Sequence, residues 1–170
     1  LPGIPYTAPR ACASFCKRVA KQSGGGFFEA GSDRPAHNFL NFYVISRIAW
    51  NNGTDVESLL KEYYRLMFGA AAPEMEEFYR LLNERLKFDL PPGSRRVEWY
   101  RPELLNNQTP ALIETMRLMA MRYPAEVIGR MDELLTRAEK RNSGELLSLL
   151  RREFDYLKLT VKVTEVFDRL

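Results

Sequence analysis

HNFLNFYVISRIAWN, residues 37–51, places Phe39, Leu40, Phe42, Tyr43, Val44, Ile45, Ile48, Ala49 and Trp50 so that almost no polar face is left at helical spacing. A helix that is apolar all round has to be enclosed by other elements, so this stretch predicts a buried central helix with Trp50 in the core. Asn51-Asn52-Gly53 follows as a turn signal. Thr54 and Glu57 then stand at the spacing of a capping box, each side chain accepting from the other's N–H. Beyond it Val56, Leu59, Leu60, Tyr63, Met67 and Phe68 recur at i, i+3, i+4, i+7 until Gly69 supplies a left-handed stop. Pro73 opens a third helix carrying Met75, Phe78, Tyr79, Leu82 and Leu86. Three helices with short connections make residues 35–88 one packed unit.

Composition sets the limits around that unit. At 170 residues, 45% hydrophobic and 28% charged, the chain has the make-up of a globular domain with a real core, which excludes disorder. The net charge of +3, from 25 basic and 22 acidic residues, is too small and too interspersed for a nucleic-acid footprint, so nucleic acid is not among the expected partners. No apolar run reaches the roughly 18 to 20 residues that cross a bilayer, so no membrane is expected either. LPGIPYTAPR lacks the charged and apolar regions of a signal peptide, and with no initiator Met the chain reads as beginning in mid-sequence. Cys12 and Cys16 stand four apart on one helical face, a poor disulfide geometry, and without a second Cys pair or a nearby His they make no zinc site. Both read as small core residues, and they decide no compartment.

In chain order, LPGIPYTAP is an extended loop, and a helix over residues 10–22 follows with Cys12, Phe15, Cys16 and Val19 as its inner stripe. Ser23-Gly24-Gly25-Gly26 breaks it, and Phe27-Phe28-Glu29-Ala30 reads as a short strand. Helix, glycine break and strand are the grammar of a (β/α) barrel. A lone strand cannot satisfy its own backbone, so either its sheet partners lie upstream of Leu1 or the segment is an extended linker. In the second half, a break near residues 89–101 is the one candidate boundary. Helices follow from Thr109 to about residue 122, from Pro124 with Val127, Ile128, Met131, Leu134, Leu135 and Ala138 inside, and from a Ser143 cap with Leu146, Leu147, Leu150, Phe154, Leu157 and Val161 inside. The expected fold is thus mainly α: a bundle-like helical domain over residues 35–170, preceded over residues 1–34 by the last loop, helix and strand of a barrel.

Chemistry-bearing motifs are sparse. His37 is the one histidine, and no phosphate-cradling loop is present, so neither a histidine metal site nor a nucleotide cofactor is expected. Glu29 stands at the carboxyl end of the expected strand, where barrel active sites lie, and Asp33 follows four residues on. A pair of carboxylates is what glycoside hydrolysis uses, at a separation that spacing alone does not supply. Glu29, Asp33 and His37 are therefore candidates for contacting substrate, with no catalytic residue assigned. Trp99, among Arg95, Arg96 and Arg101, is open as a stacking platform.

Residues 26–86 resemble the carboxyl-terminal part of domain-of-unknown-function family 4838, large bacterial proteins similar to alpha-glucuronidases. The resemblance rests on the F-F-E-A-G segment and on Tyr43, Ile48, Trp50, Asn51, Asp55, Val56, Leu59, Tyr63, Phe68, Gly69, Ala71, Ala72, Met75 and Tyr79. Gly53 stands where the family more often has proline at the turn, and Ala30 separates Glu29 from Gly31 where Glu-Gly is usually adjacent, which weakens a role for Glu29. What the resemblance implies is a glycosidase-type barrel followed by helices, acting on a glycosidic bond without metal or organic cofactor, in an extracellular or periplasmic setting. This chain alone would not be an enzyme. Its partners would be carbohydrate, through the barrel, and a second copy in a homodimer. A reading from another class is a helical protein–protein interaction or dimerisation module.

Overall fold

Helices are the regular elements among the residues that the computed structural model describes, 7–26, 35–86 and 120–167. In order they are α1 (Pro9–Val19), α2 (Pro35–Trp50), α3 (Val56–Phe68), a 3-10 turn (Gly69–Ala71), α4 (Ala72–Leu86), α5 (Ala125–Glu139) and α6 (Glu145–Phe167), with a helical end at 120–122 ahead of α5. The mainly helical class agrees with the sequence. The expected strand at 27–30 and the boundary near 89–101 lie outside the described residues.

Local chemistry accounts for the helix ends. Pro9 opens α1, where its missing N–H costs nothing. Asp55 caps α3, its carboxylate accepting from the Ser58 N–H at 2.8 Å, a bond that holds its pKa below the usual carboxylate value. This corrects the Thr54–Glu57 capping box by one residue. Asp is the stronger N-cap, and both expected box members are engaged elsewhere. The Thr54 carbonyl accepts from Lys17 Nζ at 2.7 Å, and Glu57 pairs with Arg10 at 2.6 Å. Gly69 ends α3 at φ +52°, ψ −118°, a conformation essentially reserved for glycine.

α1 packs on α2, α3 on α2 and α4, α5 on α4, and α6 on α2 and α5. The centre is aromatic. The Tyr79 ring lies within 5.8 to 6.2 Å of Tyr63, Tyr64, Phe68 and Phe78, and Phe78 meets Phe154 of α6 at 5.8 Å, mostly in tilted or edge-on geometry. Each such pair adds about 0.5–1.5 kcal/mol beyond its buried area. The inner stripes of α4 (Met75, Phe78, Tyr79, Leu82), α5 (Met131, Leu134, Leu135, Ala138) and α6 (Leu147, Leu150, Phe154, Leu157, Val161) are buried as their periodicity predicts.

Polar side chains tie the helices at their ends. The Ala36 N–H, unpaired within α2 because it lies in the first turn, donates to Glu153 Oε1 of α6 at 3.1 Å. The buried Asn41 side chain accepts from the Ala8 N–H at 2.9 Å, fixing the start of α1. Asn142 forms an Asx turn between α5 and α6: its Oδ1 accepts from the Gly144 N–H at 2.7 Å, just before α6, and its Nδ2 donates to the Phe68 carbonyl at 2.8 Å. Arg151 bridges α6 to α5 through Glu139 at 2.8 Å and a short contact with Asp132, which Lys158 also reaches at 3.3 Å.

Three sequence expectations change. α2 is not enclosed: Ala36, Leu40, Val44 and Ile48, four apart, are buried, while Phe39 is 39% and Trp50 93% exposed. Its neighbours α1, α3 and α6 cover only part of its circumference, and the aromatic centre lies between α3 and α4 instead. On α1 the inner residues are Pro9, Ala13 and Cys16, with Phe15 turned outward, because the small side chains are those that meet α2. On α3, Met67 is exposed and Tyr64 takes the inner position.

Candidate functional site

Of the residues expected to contact substrate, Glu29 and Asp33 lie outside the described residues, as does the side chain of His37, whose backbone belongs to the first turn of α2. Trp99 lies outside them too. The sites open to a physical reading are therefore a cleft at the start of α1 and the outer face of α2.

The cleft lies where α1, α3 and α4 meet, lined by Thr7, Pro9 and Arg10, by Leu40 beneath, and by Tyr64, Glu76, Tyr79, Arg80 and Asn83. Both arginines are already engaged, Arg10 with Glu57 and Arg80 with Glu77 and Glu84. Arg10 in turn holds the Glu57 carboxyl below its ordinary value. Burial pushes the Tyr64 phenol well above its ordinary value, Glu76 reinforcing and Arg10 opposing, so at neutral pH it is a neutral hydroxyl and not a base. The Tyr79 hydroxyl is spent on the Ala36 carbonyl at 3.3 Å. With a volume of about 80 Å³, the cleft is well below the several hundred Å³ of small-molecule sites. It can hold a small polar group and is too small to enclose a sugar ring.

The thiols are no better placed for chemistry. Burial raises both Cys12 and Cys16, so neither is a ready thiolate. Among the described residues no group of three His, Cys, Asp or Glu side chains could hold a metal ion, and no helix is long and apolar enough to cross a membrane.

The outer face of α2 is different in kind. Phe39 and Trp50 are eleven residues apart, three helical turns, and so share one face with Ser46 between them. Phe42 is half-buried beside them, and Tyr43 leans toward α3, where Arg47 lies 5.6 Å over its ring and pairs with Glu62 at 3.2 Å. Beyond that link no described element covers Trp50. Exposed apolar side chains that share one face mark contact surfaces where they join into a contiguous patch. The sequence did hold a signal for this face: Ser46 and Arg47 are the polar interruption of the stretch, and Phe39 and Trp50 stand seven before and four after Ser46.

No family model matches the chain, and neither a curated protein nor a solved structure is found to be similar to it. The mainly helical architecture is what defines the molecule at this level.

Proposed function

We propose that this chain is the carboxyl-terminal helical region of a carbohydrate-active, glycoside hydrolase-like protein, in which it supports a (β/α) barrel and is not catalytic by itself. The observation that supports this reading is the uncovered Phe39–Trp50 face of α2, at 93% exposure for Trp50. α2 is the first helix after the F-F-E-A-G segment on which the family resemblance rests. A barrel preceding that segment would bear on this helix before any other, and burying an exposed tryptophan and phenylalanine there contributes about 25 cal/mol per Å² of apolar surface covered. In such an assembly Glu29, Asp33 and His37 would contact a glycan, for instance one bearing uronic acids, while the acid and base would come from other barrel strands.

The test compares the 170-residue chain with one extended upstream of Leu1 through its reading frame, both carrying Trp99→Phe so that emission reports Trp50. The extended chain is expected to hydrolyse a uronate-bearing oligosaccharide and to shift Trp50 emission to the blue, and the 170-residue chain to do neither. Turnover by the 170-residue chain, or a start codon immediately before Leu1, overturns the proposal.

A further inference from the structure

α1 starts without a side-chain cap. Its N-cap is Ala8, whose methyl group accepts no hydrogen bond, and its first helical residue is Pro9, which has no N–H. The Arg10 and Ala11 N–H groups that follow have no acceptor within the helix, and they stand at the positive end of its dipole. The cleft of about 80 Å³ lies at this end of the helix, with Pro9 and Arg10 in its wall. Tyr64 is the second mark of a site. It is only 6% exposed, it lines the same cleft, and its phenol feels the charges of Glu76 and Arg10, which line the cleft too, so the hydroxyl stands at the cleft wall. Among the described residues nothing hydrogen-bonds that hydroxyl. A buried O–H is normally paired, so one left open to a cleft is directed at what the cleft receives.

We infer that this cleft receives the carboxylate of a small organic acid, held by the amino end of α1, the Tyr64 hydroxyl and the Arg10 guanidinium. The free N–H groups of a helix start are a ready anion site. The ion pairs already made do not exhaust the arginines. Arg10 gives two of its five N–H groups to Glu57, and Arg80 gives three to Glu77 and Glu84, so both keep donors. Charge selects among the oxyanions. Arg10 and Arg80 against Glu76 leave a balance of one positive charge in the lining, and Glu57, Glu77 and Glu84, outside the lining, temper it further. That balance suits a singly charged carboxylate and opposes a phosphate dianion. The volume has room for two or three waters at about 30 Å³ each, which is a carboxylate with little beyond it, so a larger acid keeps its body outside. Nothing in this site depends on the carbohydrate reading.

Titration of the 170-residue chain with sodium acetate at fixed ionic strength, followed through its amide NMR signals, tests it. Saturable shifts of the Arg10 and Ala11 amides are expected, with a Kd of about 1–10 mM, and sodium phosphate is expected to bind more weakly. Tyr64→Phe should weaken acetate binding roughly five- to tenfold, the loss of one hydrogen bond to a charged group. Glu76→Gln should strengthen it roughly two- to fivefold by removing the opposing carboxylate. Glu76 is exposed, so its variant keeps the test readable should Tyr64→Phe fail to fold. Shifts that do not saturate below about 50 mM acetate overturn the inference, as do phosphate binding tighter than acetate and acetate binding indifferent to both substitutions.

Discussion

Helices α2 and α4 are nearly equal in length, 16 and 15 residues, and opposite in character. α2 has a single charged residue, Arg47, whereas α4 has six: Glu74, Glu76, Glu77, Arg80, Glu84 and Arg85. Yet α4 holds the centre of the fold, with Met75, Phe78, Tyr79 and Leu82 all but inaccessible, and α2 lies at its edge with Trp50 in solvent. Burial follows from what surrounds a helix, and overall hydrophobicity is a poor guide to it. α4 is flanked by α3, α5 and the Gly69 turn, and its charges, apart from the buried Glu74 that pairs with Arg141, mark which side faces out. α2 has little such marking beyond Ser46 and Arg47, so it leaves apolar residues outside where no described element neighbours it.

If that contrast is right, the largest effect belongs to the aromatic centre. Phe68→Ala removes a buried ring in contact with Tyr63 and Tyr79 and should cost about 3–5 kcal/mol in urea-induced unfolding. A loss under about 1 kcal/mol would move the centre elsewhere. Alkaline unfolding comes next. Burial pushes the Tyr63 phenol up to about 12, its neighbour Tyr79 acting slightly against the shift. Because the folded pKa is raised, the unfolded chain loses its proton first. The contribution is fully present below about pH 10 and is lost as pH rises towards about 12, roughly 2–3 kcal/mol for this one group. Tyr63→Phe should flatten that limb of a pH–stability curve, and an unchanged limb would show that the phenol is hydrated.

A smaller loss tests how the two halves of the core are held together. Asn142→Ala leaves the Phe68 carbonyl and the Gly144 N–H without their partner, and should lower stability by about 1–2 kcal/mol. Gly144 matters less, since Asn142 is the group that spans from the α5–α6 turn to the end of α3. The smallest effect is expected on α2: Trp50→Ala should change stability by less than about 0.5 kcal/mol. A loss near that of Phe68→Ala would restore Trp50 to the core and end the contrast between α2 and α4.

Periodicity alone was enough for most of α4, α5 and α6, whose buried apolar residues all belong to the stripes predicted for them, while Val127, Ile128 and Leu146 of those stripes are only partly covered. There each helix carries most of its charges opposite its apolar side, so one orientation buries the fewest, and the one buried carboxylate, Glu74 on α4, pairs with Arg141. The stop at Gly69 was equally legible, because its backbone conformation excludes a Cβ. Three features were not. The orientation of α2 was marked only by Ser46 and Arg47, too little polar surface to say which of its many apolar residues would find neighbours. The outward turn of Phe15 and the choice of Ala13 and Cys16 to meet α2 depend on how closely two helices approach, which spacing does not encode. The Asn142 link joins residues 74 positions apart, and a donor finds so distant a carbonyl only after the helices between them have packed. The sequence by itself determined that the described part of the chain is mainly helical and which side of α4, α5 and α6 faces in. Tertiary structure decided which apolar residues stay in water, because that depends on where neighbouring helices run out.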